Sequence, residues 1–318
     1  MKKIINLAAQ GPDIFYHNQR TTPTAFRFGR LLHRSRYGSV LAALVRHAHE
    51  LRGQAFEEAA GYILGFATHA VLDRITHPYI VAFAGGCYQC HPFFERILDV
   101  CMIKELRDAE IGRIDLPSWF PAEGLPESVR NLLIRALNEV YAGAGQPLLP
   151  EELGNAVYDA LNFYRWTNPA VAETARVLAF KHDRDENGGR RRLALFHPLE
   201  DLPELDYLNK EHKTWHRPFI QGAVSSESFI DLYGKALDKG RIVLETVCAC
   251  LEGKKDAEAL ETVLGNGNLN GKIDIPVDGP VLSRKDTGLV HRGPEEHFPL
   301  SGILDRMYER MAEVHPEL

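Results

Sequence analysis

The sequence predicts an all-α protein, and three observations support this class. Apolar residues recur with the helical period through most of the chain, and Val, Ile and Thr do not form the alternating runs that are typical of strands. Prolines stand where helical patterns begin, as at Pro92, Pro150 and Pro169. A content of 45% hydrophobic and 25% charged residues in 318 positions is that of an ordinary globular chain, which excludes a disordered or coiled-coil protein.

Amphipathic stretches predict the individual helices in chain order. They cover residues 37–51, 54–75, 92–110, 127–141, 151–164, 169–182, 226–251, 256–264 and 300–314. A polar and proline-rich segment at 183–225 interrupts them and is predicted to be a long loop, either a lid or a linker. A second irregular region at 265–293 precedes the last helix. We therefore expect a multi-helix bundle with a helical core at 1–182 and C-terminal helices at 226–318 that pack on it as one continuous domain.

The net charge and the apolar segments of the chain indicate which partners and which compartment to expect. The formal net charge of -6 argues against a protein that coats nucleic acid, so no nucleic-acid partner is expected. The N-terminal apolar stretch at 4–9 is about half the length of a signal peptide and is broken at Gly11-Pro12. No window reaches the roughly 18 apolar residues of a transmembrane helix. We expect a cytoplasmic protein, and the odd number of five cysteines predicts no disulfide framework.

Histidines are concentrated near the start of the chain. Half of the 14 lie between His17 and His91. His69, Asp73 and His77 recur every four positions, so they lie near one face of a predicted helix. Imidazole and carboxylate groups at this spacing suit a zinc-type ion. Pro78 is expected to end this helix and to leave His77 in its last turn, where it would serve a neighbouring metal.

The next predicted helix carries a second pair with the same spacing, His91 and Glu95. Upstream, Asp13 and His33 add a carboxylate and an imidazole in apolar settings. A single His-acid pair is usually a surface pair. Two such pairs on helices with apolar faces call for an explanation, because burying polar groups without partners is costly. The sequence therefore predicts metal binding.

These segments resemble the zinc-dependent phospholipase C family, which is related in fold to single-strand-specific zinc nucleases. The resemblance covers about the first 110 residues. It is carried by Gly11-Pro12-Asp13-Ile14-Phe15, Leu31-Leu32-His33, the run Gly61–His69 with Asp73 and His77-Pro78-Tyr79, and His91 with Glu95. The resemblance implies an all-α fold with two zinc ions. It assigns one ion to Asp13, His33, His69 and Asp73, and the other to His77, His91 and Glu95.

One feature of that family is missing. Its secreted members hold a third zinc through the amino group of the N-terminal residue, an early histidine and the carboxylate that matches Asp73. This chain has no histidine before His17 and begins close to Asp13. Either the protein works with two ions, or its natural start lies upstream of Met1.

The predicted activity is phospholipase C-like hydrolysis of a phosphodiester, with a small phosphodiester or a phospholipid headgroup as substrate. Two ions would share a bridging water, lower its pKa and present hydroxide to the phosphorus. Asp73 is the candidate bridging ligand, and Asp13 is a candidate base, so these two are the predicted catalytic residues. Two alternatives remain open: a non-catalytic metal-stabilised helical scaffold, and a metallophosphohydrolase that uses His182-Asp183.

Other motifs have ordinary interpretations. Cys87-Tyr88-Gln89-Cys90-His91 has the spacing of a c-type haem attachment site or half of a zinc site, and two thiols in a short loop is the interpretation we favour. The run Asn266-x-Asn268-x-Asn270-Gly271 has the outline of a calcium loop but lacks its acids, which favours a turn-rich linker.

The remaining polar groups carry weaker expectations. His17, His47 and His49 are interpreted as incidental. Asp99 is either a solvated acid or a hydrogen-bond partner of a metal-bound imidazole. The segment with His212, Trp215 and His216 is interpreted as a polar loop, with phosphate contact or substrate stacking as the alternative.

Overall fold

The computed structural model describes residues 1–85, 89–186, 191–199, 202–218, 222–269 and 298–318. The predicted all-α class is confirmed, because helices dominate these ranges and strands contribute only four residues. None of the helices in the described ranges combines the length and the apolar character that crossing a lipid bilayer requires. Residues 187–190, 270–293 and Cys87, on which some of the sequence motifs fall, lie outside the described residues.

The α-helices are α1 (Lys2–Ala8), α2 (Phe26–Arg34), α3 (Tyr37–Ala48), α4 (Gly53–Ala84), α5 (Cys90–Arg107), α6 (Glu127–Val140), α7 (Pro150–Trp166), α8 (Glu173–Asp185), α9 (Phe229–Leu251), α10 (Ala259–Leu264) and α11 (Leu300–Val314). Short 3-10 helices cover Gly11–Phe15, Ile111–Arg113, Leu116–Trp119 and Arg192–Leu195. Strands β1 (Trp215–His216) and β2 (Val224–Ser225) pair antiparallel. Each predicted helix is present, whereas α1 and α2 were not predicted.

The described residues form two compact units. The first contains Met1–His77, Pro117–Phe163 and the described part of Tyr233–Leu282. The second contains Pro78–Leu116, Tyr164–Leu232 and the described part of Ser283–Leu318. The sequence-based division at residues 182 and 225 stays a prediction.

The core of the first unit fixes the position of helix α4. The Tyr37 ring stacks on Phe66 with centroids 4.5 Å apart, and its hydroxyl donates to the Phe66 carbonyl at 2.6 Å. Gly65 allows α1 to lie against α4, because a Cβ at this position would be 2.3 Å from the Ile5 carbonyl oxygen. Helix α4 is therefore held on two sides in the turns that precede His69.

The turn after α10 is fastened to α3 and α4 within the first unit. The Asn266 side chain accepts from the Ser39 amide at 2.8 Å and donates to the Ser39 hydroxyl at 2.9 Å. Arg74 donates to the carbonyls of Leu264, Gly265 and Gly267. For the described residues of the calcium-loop motif, these contacts agree with the predicted structural turn.

The second unit has an aromatic core of its own. Trp215 is buried, meets Tyr79 edge to face at 5.5 Å, and donates from Nε1 to the Glu227 carbonyl at 3.0 Å. The Tyr79 hydroxyl donates to the Tyr207 carbonyl at 2.7 Å. Trp215 is a core residue, so the alternative in which it stacks on a substrate was wrong.

Helix α4 continues through Pro78 to Ala84, so the prediction that Pro78 ends it was wrong. Proline lacks an N–H and costs about 3 kcal/mol in a helix interior. The residues that follow offset this cost by burial, since Tyr79 and Phe83 are buried and their ring centroids lie 4.3 Å apart. His77 consequently lies inside a continuous helix and not in a frayed last turn.

One cysteine differs from the prediction. Cys90 is disulfide-bonded, whereas Cys101, Cys248 and Cys250 are free thiols. The interpretation of Cys90 as an ordinary thiol was wrong, because an odd total excludes complete pairing but allows a single bond. The expected cytoplasmic location stays a prediction.

Candidate metal centre

Helix α4 presents His69, Asp73 and His77 at successive turns of one face, as the four-residue spacing predicts. The Oδ2 atom of Asp73 lies 3.1 Å from Nε2 of His69, and its Oδ1 atom lies 3.8 Å from Nε2 of His77. None of the three side chains is more than 13% exposed. The two oxygens of one buried carboxylate therefore face different imidazoles.

The 3-10 helix at Gly11–Phe15 supplies Asp13. Pro12 stands in its first turn, and the buried side chains of Ile14 and Phe15 anchor it. Gly11 has φ +52°, and a Cβ there would lie 2.3 Å from Cγ of His69. The backbone of this turn thus lies directly against the His69 ring, an approach that only glycine permits.

Helix α2 supplies His33 from its last turn. Its Nε2 atom lies 3.1 Å from Oδ1 of Asp13 and 3.7 Å from Oδ2 of Asp73. The potential ligand atoms of Asp13, His33 and His69 all lie within 4.8 Å of one another. The first unit therefore brings together the four residues that the resemblance assigned to one ion, together with His77.

Both converging histidines have their second ring nitrogen bound to the main chain. Nδ1 of His33 lies 2.8 Å from the Gly29 carbonyl, and Nδ1 of His69 lies 3.3 Å from the Ala9 carbonyl. A carbonyl only accepts, so each Nδ1 carries a proton, and when the ring is neutral each Nε2 directs its lone pair into the group. Metal-binding histidines are oriented in this way.

Two buried atoms of the group lack a hydrogen-bond partner among the described residues. They are Nε2 of His69 and Oδ2 of Asp73, which lie 3.1 Å apart but without the geometry of a hydrogen bond. Leaving such atoms unsatisfied is costly, and a cation that accepts their lone pairs would remove the cost. Two imidazoles with two carboxylates are a donor set that zinc accepts, so the residues fit a zinc ion.

The charges of the group shift the pKa values of its members. Burial acts to lower the pKa of His69, but the negative charges of Asp73 and Asp13 outweigh it and raise this pKa to about 9. Burial acts to raise the pKa of Asp73, but the positive charges of His69 and His77 outweigh it and lower this pKa. The group thus favours positive charge among its carboxylates, as a cation site does.

Zinc affinity is expected to rise with pH up to about pH 9. His69 must lose its proton to bind a metal, and its pKa of about 9 keeps it protonated at neutral pH. We expect up to about a tenfold gain in affinity per pH unit between pH 7 and 9, measured by competition with a chromophoric chelator. An affinity that is flat over this range would show that His69 does not bind the metal, and His47→Ala serves as a control.

The same pKa gives the metal-free protein the opposite trend in stability. The pKa of His69 is higher in the folded than in the unfolded state, so its contribution is complete below the ordinary value of 6.5. This contribution is lost as the pH rises through about 9. Denaturant unfolding of the metal-free protein between pH 6 and 9 measures it.

The second predicted ligand set, His77, His91 and Glu95, takes one residue from the first unit and two from the second. Within the second unit, Nε2 of His91 lies 3.2 Å from Oε1 of Glu95 at the start of α5. Their side chains are 40% and 39% exposed. The pair has the predicted one-turn spacing, and its assignment to one ion with His77 stays a prediction.

Other candidate residues have structural partners. Asp183 is buried and accepts from Arg192 at 2.6 Å and from the Tyr308 hydroxyl, whereas His182 is exposed. This arrangement does not support the metallophosphohydrolase alternative at His182-Asp183. Asp99 is half-exposed and lies 3.1 Å from Nε2 of His197, a contact that the sequence did not indicate.

The histidines interpreted as incidental do have other partners. Nε2 of His47 lies 2.7 Å from Glu139, and Nε2 of His49 lies 3.3 Å from the Leu251 carbonyl. The His17 ring stacks on Phe163 at 4.0 Å. Each of these contacts lies within the first unit and outside the metal group.

Two residues beside the centre, Tyr16 and Arg30, were not predicted from the sequence. The Tyr16 ring lies 5.0 Å from the His33 ring, and burial together with the charge of Asp13 raises the pKa of its hydroxyl, which the charge of Arg30 acts to lower. The position of Tyr16 directly after the Gly11–Phe15 motif was the available signal. Nothing comparable marked Arg30.

No family profile, no curated protein and no solved structure matches this chain. The resemblance to the zinc-dependent phospholipase C family therefore stays a prediction. What the structure provides is an all-helical protein with candidate metal-binding groups of histidine, aspartate and glutamate.

Proposed function

We propose that this protein is a zinc-dependent phosphodiester hydrolase whose centre holds two ions. The observation that carries the proposal is the geometry of Asp73. Its Oδ2 atom faces His33 and His69, whereas its Oδ1 atom faces His77. A carboxylate whose two oxygens face different imidazoles would be suited to hold two ions.

The chemistry of such a centre matches phosphodiester cleavage. Zinc ions supply Lewis acidity, acidify water and neutralise charge on phosphoryl oxygens. Asp13 is 44% exposed, so its carboxylate is the part of the group that solvent and substrate reach. We assign Asp13 to orient the nucleophilic water and to accept its proton, and Asp73 to hold the ions together.

A metal-stabilised scaffold is the second candidate, favoured by burial. The donors of the first set come from the Gly11–Phe15 turn, α2 and α4, and those of His69 and Asp73 are almost fully buried. An ion at this point would cross-link three segments of the first unit. Structural zinc sites contribute to folding in this way.

Metal content and hydrolysis distinguish the two candidates. The purified full chain, loaded with zinc and dialysed, is expected to retain about two ions per chain and to hydrolyse bis(p-nitrophenyl) phosphate. His69→Ala is expected to lower the rate at least about 100-fold, whereas His212→Ala, at an exposed histidine of the second unit, keeps it. Elemental analysis and release of p-nitrophenolate measure both quantities.

Each other result has a definite meaning. Two ions per chain without hydrolysis, together with unfolding of His69→Ala, would establish the scaffold. A chain that binds no zinc under zinc-replete conditions would refute both candidates. Equal losses in His69→Ala and His212→Ala would mean that the site is misplaced.

A further inference from the structure

Arg30 is connected to the metal group by a row of aromatic rings. It precedes His33 by three residues, so both lie near one face of α2. Its guanidinium carbon lies 4.8 Å from the Phe26 ring centroid. Phe26 meets Tyr16 edge to face at 5.4 Å, and Tyr16 lies 5.0 Å from the His33 ring. Three successive contacts thus join the cation to a metal ligand.

The guanidinium of Arg30 lies against an aromatic ring and, within the part of the chain that the structure describes, not against a carboxylate. Arg20 and Arg27, which precede it, form ion pairs with Asp159 and Glu152. Arg30 is exposed and forms no ion pair with a carboxylate of the described residues. An exposed arginine without an acidic partner is available to bind an anion.

Asp13 and Arg30 both act electrostatically on the Tyr16 hydroxyl. Asp13, the half-exposed ligand, belongs to the 3-10 helix that leads directly into Tyr16. Packing fixes the Tyr16 ring, since a Cβ on Gly29 of α2 would lie only 3.1 Å from it. Tyr16 is therefore the residue that links the half-exposed carboxylate of Asp13 to the exposed guanidinium of Arg30.

The charge of Arg30 indicates what it binds, and this step rests on the proposed function. The zinc ions of the proposed centre would neutralise the charge of the phosphodiester itself, which leaves the guanidinium of Arg30 for a further anionic group. A second negative charge on the substrate would need a further cation, whereas a cationic headgroup would be repelled by Arg30.

We propose that the substrate is a phosphodiester with a second anionic group, a carboxylate or phosphate, on its leaving group, and that Arg30 binds this group. The guanidinium matches either oxyanion with paired N–H donors. Tyr16 and Phe26 form the surface along which the leaving group lies. Arg30 is thus a specificity-determining residue, and it is not a metal ligand.

Binding of three matched phosphate monoesters tests this inference. Phosphoglycolate carries a carboxylate, ethyl phosphate carries no further charge, and phosphorylcholine carries a cation. Calorimetric titration of the zinc-loaded full chain is expected to give the highest affinity for phosphoglycolate. Arg30→Gln is expected to weaken phosphoglycolate binding about tenfold, to leave ethyl phosphate binding unchanged and to retain all zinc. Arg30→Lys is expected to recover part of the loss.

Arg135→Gln is the matched control, because it removes one surface positive charge elsewhere in the first unit. Equal affinity of Arg30→Gln and the unaltered protein for phosphoglycolate would overturn the inference, even if diester hydrolysis persists. Equal weakening by Arg135→Gln would overturn it too, since a general charge effect would then suffice. If no diester is hydrolysed but Arg30→Gln still weakens phosphoglycolate binding, the hydrolase proposal fails and anion recognition by Arg30 stands.

Discussion

Replacing Asp73 with asparagine is expected to remove most of the bound metal without unfolding α4. The amide has the size of the carboxylate but only one oxygen, so its NH2 group must face one of the two sets of imidazoles. It also removes the negative charge that supports a cation beside His69. We expect zinc affinity to fall by at least about 100-fold, beyond the loss typical of a group that only orients a ligand.

Zinc retained after dialysis, together with chelator competition, measures this loss. Asp238→Asn on α9 is the control, since Asp238 is an exposed aspartate of the first unit. A normal zinc content in Asp73→Asn would show that Asp73 is not a ligand. A normal zinc content in Asp73→Asn together with a loss of hydrolysis would mean that Asp73 acts in the reaction and does not bind the metal.

Replacing Gly11 with alanine is expected to disrupt the centre through the backbone. The new Cβ would lie 2.3 Å from Cγ of His69, and Gly11 has φ +52°, which alanine adopts only with strain. His69 cannot move away freely, because α4 is held by Tyr37 and by α1. We expect the free energy of unfolding to fall by about 1–3 kcal/mol and zinc affinity to fall at least about tenfold.

Gly53→Ala separates the two causes of this effect. Gly53 has φ +55°, but no atom lies within 4 Å of the position of its Cβ. Its substitution therefore reports the cost of the backbone conformation alone, measured by denaturant unfolding. If both variants lose the same stability and both keep full zinc affinity, the contact of Gly11 with His69 has no role in the centre.

The features that could be predicted best are those that the geometry of a single helix determines. The spacing of His69 and Asp73 follows from the helical period, so their shared face could be deduced. Helix α2 was not predicted, and the approach of His33 to Asp13 depends on contacts between separate segments that only the resemblance indicated. The continuation past Pro78 also escaped prediction, because it depends on the burial of later aromatic residues.

Other features of the centre have no local signal in the sequence. Main-chain carbonyls are present at every residue, so nothing marks those of Ala9 and Gly29 as partners of histidines. The vicinity of Arg30 to the group arises from the packing of Phe26 and Tyr16. The disulfide of Cys90 depends on geometry and on the redox conditions, and the number of cysteines determines neither.

The carbonyl partners of His33 and His69 affect how the centre can change in evolution. A carboxylate or amide that orients a histidine is lost in one substitution, but a peptide carbonyl remains whatever side chain its residue carries. At Ala9 the side chain can therefore vary without removing the acceptor, and at Gly29 the space next to Phe15 and Tyr16 limits the choice. The orientation of the two imidazole rings therefore depends on the path of the backbone and not on neighbouring side chains. Substitutions will change the metal ligands themselves before they change how these rings are oriented.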